Sequence, residues 1–156
     1  MDLDARLSMT EEFFAAYAAG FNNALADPPE VDVEAAAGAF ADCFIAADPN
    51  GVLCGKNDEQ LRAQIPAGYA FYRSIGTKSM RVVSLTVTPL DDSHLITRVH
   101  REARYRKKGG SEEEIDFDVI YFVRTVGKQP RIFGYIPGDD QALLRERGLI
   151  PSPEET

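Results

Sequence analysis

The hydrophobic pattern changes its period once along this chain, and that change limits what it can fold into. Before Gly76 the apolar residues recur at helical spacing. Phe14, Ala18, Phe21 and Leu25 form one stripe, widened by Phe13 and Tyr17; Leu61, Ile65, Tyr69 and Tyr72 form another. From Met80 onward the spacing is that of strands. The segment "MRVVSLTVT" is β-branched, and Phe117, Val119, Tyr121 and Val123 alternate along Ile115–Val126. Helices followed by a strand meander give an α+β class. A strongly curved antiparallel sheet wrapped around three N-terminal helices, with a short C-terminal helix, is the expected architecture.

Local signals place the breaks. Ser8-Met9-Thr10-Glu11 reads as a capping box opening the first helix, and Asp27-Pro28-Pro29 stops it. Asp32 is positioned to cap a second helix with Ala36, Phe40 and Phe44 on its inward face. "IAADPNG" then fits a short strand and a turn. Asn57-Asp58-Glu59-Gln60 is a second capping box. Pro66 is expected to kink the third helix or restrict its start, and Gly76 to end it. Strands follow over Met80–Thr88, Leu95–Tyr105, Ile115–Val126 and Arg131–Ile136, with "KKGGSE" and "VGKQP" as turns. Asp139–Arg147 reads as a short helix closed by Gly148, with Leu149 placed for a hydrophobic cap contact. The expected unit is a single domain over residues 8–150 with tails at 1–7 and 151–156. Ile120 and Phe122 make the second face of the Ile115–Val126 strand apolar as well, so a homodimer through the sheet is expected.

Charge and motifs exclude several function classes. The 156 residues carry a formal net charge of −8, which argues against nucleic-acid and membrane partners. The basic run "RVHREARYRKK" fits a solvated hairpin edge, with an anionic ligand or partner as the sharper alternative; Asp116 is placed to pair with Arg104 across it. Cys43 fits a small buried hydrophobe at a helix end, and neither it nor Cys54 has a zinc-ligand set nearby. His94 and His100 lack a third ligand, and there is no phosphate loop or dinucleotide fingerprint, so no metal and no cofactor are expected. The N-terminus lacks the basic-then-apolar layout of a signal peptide, and no apolar run is long enough to span a bilayer, which points to a cytoplasmic protein.

Three short stretches carry a resemblance. Tyr17-Ala18-Ala19 lies on the first helix; Phe40-Ala41-Asp42 is followed after a short spacer by Asp48-Pro49; Asp118 stands within "FDVIYF". Together with the element order they resemble the nuclear transport factor two-like superfamily, and within it the ketosteroid isomerases and SnoaL-like proteins, over roughly residues 8–150. The resemblance implies a cone-shaped, cystatin-like α+β fold around a hydrophobic pocket. It implies Asp48 as proton-abstracting base, with Tyr17 and Asp118 as donors to a developing oxyanion. A two-residue slip in the alignment puts Ile120 at the acid position instead. From the residues themselves, Asp48 before Pro-Asn-Gly is also a good turn starter, and His100 with Glu102 is a second base-and-orienter pair. The expected function is a pocket for a small apolar or aromatic molecule. It extends to cofactor-independent isomerase, cyclase or dehydratase chemistry on Asp48, or, alternatively, to a noncatalytic ligand-binding or protein-interaction module.

Overall fold

The computed structural model describes residues 2–151. Helix α1 (Leu3–Leu25) starts five residues before the expected capping box. Its cap is Asp2, whose Oδ1 accepts from the Ala5 N–H at 2.7 Å. The early turns are anchored, which is why residues 3–7 are not a tail. Arg6 is buried, and its Nε donates to Thr125 Oγ1 at 3.1 Å while its Nη2 donates to the His94 carbonyl at 3.3 Å. Thr10 is internal to the helix and donates back to the Arg6 carbonyl. Residues 152–156 of the expected C-terminal tail lie outside the described residues.

Asp32 caps α2 as expected, but α2 (Val33–Gly38) has only six residues. Phe40 and Phe44, expected on its inward face, belong instead to strand β1 (Phe40–Asp48), which a tight turn joins to β2 (Gly51–Lys56). The whole "FADCFIAADPNGVLCGK" stretch is therefore a hairpin. Cys43 and Cys54 lie on it, both exposed, so Cys43 is not the buried helix residue its neighbours suggested. Helix α3 (Glu59–Ser74) is capped by Asp58 and runs through Pro66. The adjacent Asn57 donates its side-chain amide to the Ala37 and Phe40 carbonyls at 2.8 and 3.0 Å, tying α2 and β1 to the start of α3.

The remaining strands are β3 (Thr77–Pro89), β4 (His94–Arg106), β5 (Glu112–Arg124) and β6 (Arg131–Ile136), followed by α4 (Asp140–Glu146). They form one six-stranded sheet in the order β2-β1-β6-β5-β4-β3. All neighbours are antiparallel except β1 and β6, which run parallel; the helical segment between β2 and β3 and the return of β6 to β1 make this possible. Gly76 sets the corner from α3 into β3. Its φ is +88°, and an added Cβ would stand 2.0 Å from the Arg106 carbonyl oxygen, so only glycine fits.

The core is divided between two clusters. Phe14 of α1 meets Leu95, Val99, Val119, Tyr121, Val123 and Ile132 of the sheet. Nearer the other end, Leu144 of α4 meets Met80, Ala103, Tyr105 and Ile115. Asn22 fastens α1 to β3 by donating to the Met80 carbonyl and accepting from its N–H, both at 2.8 Å. Among the described residues no helix is long and apolar enough to cross a membrane. Phe14 is fully buried at the junction of helix and sheet. Phe14→Ala is therefore expected to lower the unfolding free energy by about 3–5 kcal/mol in denaturant titration, whereas Val52→Ala on the exposed hairpin should change it by less than about 0.5 kcal/mol.

Candidate functional site

The pleat of β4 and β5 decides which side chains enter the cone. On β4, Leu95, Thr97, Val99, Arg101, Ala103 and Tyr105 face the helices and are buried. On β5 the same side carries Ile115, Phe117, Val119, Tyr121 and Val123. The alternate residues occupy the outer face. Asp118 is there, opposite His100, with Asp118 Oδ1 2.7 Å from His100 Nδ1. Arg98 also approaches Asp118, at 3.4 Å. The His100 hydrogen bond, with Arg98 behind it, holds the Asp118 carboxyl below the usual carboxylate range. The two-residue slip that would exchange Asp118 for Ile120 keeps the same parity, so it brings neither residue inside.

His100 is thus paired with Asp118, not oriented by Glu102. Glu102 accepts from Arg81 at 2.9 Å and from Arg104 at 3.3 Å. Arg104 therefore serves Glu102 and not Asp116, which stands opposite Glu102 in the ladder. Glu102, Glu114 and Asp116 bring carboxylate oxygens within 4.8 Å of one another. The arginines compensate much of that charge: Arg81 first lowers the Glu102 carboxyl, while the neighbouring Glu102 raises that of Glu114.

Tyr17 lies inside the cone. Its ring centroid is 6.4 Å from Phe40 and 6.5 Å from Tyr121, both edge-on, and Tyr135 is 6.3 Å from Tyr121. Burial, and then the neighbouring Tyr121, push the Tyr17 hydroxyl above its usual range. Burial raises Tyr121 and Tyr135 as well. Tyr17 also forms part of the wall of a groove of about 380 Å³ between α1 and α2, together with Phe13, Ala36, Ala39 and Tyr69.

Asp48 lies at the rim. It is exposed, and its Oδ1 accepts from the Asn50 N–H at 2.8 Å, closing the β1–β2 turn. It also borders a recess of about 160 Å³ at the open end of the cone, with Phe71, Tyr72, Pro137, Asp140 and Leu144. Tyr72, Asp140 and Leu144 line a smaller cavity of about 20 Å³ further in, beside Met80, Tyr105 and Phe117. The four residues singled out from the sequence therefore fall in three places. Tyr17 is inside, Asp48 is at the mouth, and Asp118 and His100 are together on the outer face.

Two residues not singled out for the site hold the interior charge. Arg101 falls in the run expected to be a solvated hairpin edge, yet it is only 5% exposed. Its guanidinium carbon stands 5.6 Å from the Tyr17 ring centroid and 5.5 Å from that of Tyr121. Asp140, in the first turn of α4, has its carboxyl pushed up to about 6, mainly by burial, then by Asp139, with Arg101 opposing and Asp48 adding to the rise. Strand parity and the neighbouring Ala103 and Tyr105 are the available signals for Arg101. Nothing local marks Asp140, because α4 reaches the cone mouth only in three dimensions.

A family model described as NTF2-like protein (DUF6841) matches residues 7–140. The chain belongs to that family. Its NTF2-like fold is similar to that of an NTF2-like protein with a cystatin-like fold from Novosphingobium aromaticivorans, at TM-score 0.64 and 16% identity over 96% of each chain. It is similar to Aln2 from a Streptomyces species at TM-score 0.65 and 15% identity, covering 94% of this chain and 98% of that one. A ketosteroid isomerase-like protein from Erwinia carotovora atroseptica gives TM-score 0.59 and 15% identity, covering 85% and 94%. No curated protein matches the chain. At these identities the likeness concerns the fold.

Asp140 provides a pH test of the NTF2-like interior. Its folded pKa of about 6 lies above the ordinary 3.8, so the fold binds its proton more tightly than the unfolded chain does. The associated stabilisation is complete below about 3.8 and is lost as pH rises through about 6. Asp140→Asn removes this dependence. The stability of the variant relative to the parent should therefore increase between pH 4 and 7, by about 1 kcal/mol after allowance for partial exposure. Thermal unfolding at several pH values measures it.

Proposed function

We propose that the protein binds a small, largely apolar or aromatic molecule inside the cone, between the tyrosine cluster and the recess at the mouth. The observation that carries this reading is the composition of the interior near Tyr17. A core serving stability alone is filled mainly with aliphatic residues such as Leu95, Val99 and Val123. Beside these residues Tyr17 and Tyr121 pack against a buried guanidinium, Phe40 and Tyr135 adjoin the two tyrosines, and Tyr17 opens onto the α1–α2 groove. Aromatic walls with a few convergent polar groups are the usual make-up of small-molecule sites. The NTF2-like fold, shared with a protein described as ketosteroid isomerase-like, supports the reading as well.

Ligand-detected NMR against a library of small aromatic and alicyclic compounds tests it. Binders are expected, and Tyr121→Ala should weaken them at least tenfold, whereas His100→Ala on the outer face should leave them unchanged. A library without binders, or binding insensitive to Tyr121, would remove the reading.

A second reading, acid–base turnover of the bound molecule, is favoured by one observation. Asp48 and Asp140 border the same recess in unlike environments, one exposed and one half-buried with its carboxyl pushed up to about 6. Two carboxyl groups set apart in this way can divide base and acid roles. Asp48 would take the proton next to a substrate carbonyl. Incorporation of solvent deuterium next to the carbonyl of a bound ketone measures this step. Asp48→Asn, which can keep the turn, should slow it by about 100-fold or more; an unchanged rate would restrict Asp48 to its turn.

A further inference from the structure

Two buried arginines in this chain differ in how they are satisfied. Arg6 places its donors on Thr125 and on the His94 carbonyl. Arg101 is buried as deeply, yet its Nε and Nη2 have no hydrogen-bond partner among the described residues. Its one polar contact among them is Nη1 to the Met80 sulfur, at 3.5 Å, a weak acceptor. The Tyr17 and Tyr121 rings contribute cation–π attraction, but a ring face is a weaker partner than an oxygen acceptor. A guanidinium does not lose its proton, so burial cannot be relieved by neutralisation.

The two unpartnered atoms also have a defined geometry. Nε–H and Nη2–H lie on one edge of the planar guanidinium and point the same way. That edge is the fork that donates to both oxygens of a carboxylate in parallel. Two of the residues the guanidinium touches border openings described above. Tyr17 belongs to the wall of the α1–α2 groove and Met80 to that of the inner cavity, which Tyr72 and Asp140 of the mouth recess also line.

From this we propose that Arg101 is the anion-binding residue of the cone, taking the carboxylate of a small aromatic or alicyclic monocarboxylic acid through its Nε–Nη2 edge, with Tyr17 and Tyr121 packed beside the guanidinium. The charge balance of the site selects a monoanion. Among the described residues Arg101 is the one cation placed against the tyrosine cluster, Asp140 and Asp48 stand at the mouth, and the net charge is −8. A doubly charged phosphate would meet one positive charge and two carboxyl groups, whereas a carboxylate needs only the one fork. The proposal rests on the pocket reading above and names its ligand class.

Matched pairs of acid and carboxamide separate the two ideas. Benzoate with benzamide, phenylacetate with phenylacetamide, and cyclohexanecarboxylate with its amide are titrated into the full chain by calorimetry. The acid of at least one pair should bind tenfold or more tighter than its amide. The Arg101 Nε–H resonance should shift with that acid and not with the amide. In Arg101→Met the preference should vanish, while the ligand-free Tm stays equal or rises, because an unsatisfied buried charge is removed. A lowered Tm with the acid–amide preference unchanged would show a purely structural role for Arg101 and overturn the proposal. Equal binding of acid and amide, or a preference that survives in Arg101→Met, would overturn it and leave the pocket reading intact. No binding of either partner in any pair would remove both. If Arg101→Met does not fold, Arg101→Lys and the wild-type resonance shift decide: the lysine keeps the charge, loses the fork, and should lose most of the preference.

Discussion

β4 is hydrogen-bonded along its length to β3 on one side and β5 on the other, and its two-residue period assigns each side chain to one of two unlike environments. One face lies under α1 and closes the core; the other carries the ion-pair network of Arg98, His100, Glu102 and Arg104. Shifting the register by one residue would exchange the two sets. It would turn Arg98, His100, Glu102 and Arg104 into the apolar core and expose Leu95, Val99 and Ala103, so the aliphatic residues hold the register firmly. Arg101 is carried inward by the same constraint. Its position follows from the parity of Val99 and Ala103 on either side of it, not from any preference of arginine for the interior.

The period change predicted the architecture because it is an area effect summed over many residues. Helical stripes before Gly76 and alternation after Met80 correspond to α1, α3 and the long strands, and Arg131–Ile136 corresponds to β6. The readings that failed rested on single local signals with competitors nearby. Ser8-Met9-Thr10-Glu11 has the residues of a capping box, but Asp2 caps more than a turn earlier and Arg6 is fastened in the core, so the helix is already formed at Ser8. Phe40 and Phe44 share a helical spacing and also, being an even number of residues apart, a strand face. Pairing with β2 and β6 decided for the strand.

Of the candidate site, sequence resolved individual positions better than their meeting. Tyr17 is on the interior face because it belongs to the same helical stripe as Phe14 and Phe21. Asp48 is at the turn its Pro-Asn-Gly context demands, and that turn also borders the mouth of the cone. Asp118 is aligned by its neighbouring aromatic residues, a match that ignores strand parity, and parity places it with His100 on the outside. Asp140 could not be recognised at all, since its environment is made by residues on β1, α3 and the approach to α4.

The interior is therefore uneven in its purpose. Leu95, Val99, Val123 and Ile132 are the fully buried aliphatic packing a stable fold needs. A few residues along β4, the chain keeps a guanidinium whose free edge meets no acceptor among the described residues, where leucine or methionine would fill similar space without that cost. The neighbouring faces of Tyr17 and Tyr121 limit the penalty and pack against the group before any partner arrives. An arrangement that sacrifices stability to hold one charge oriented has the energetics of a preorganised binding group: the ordering and desolvation are completed on folding, and an incoming acceptor recovers hydrogen bonds that the fold itself leaves open.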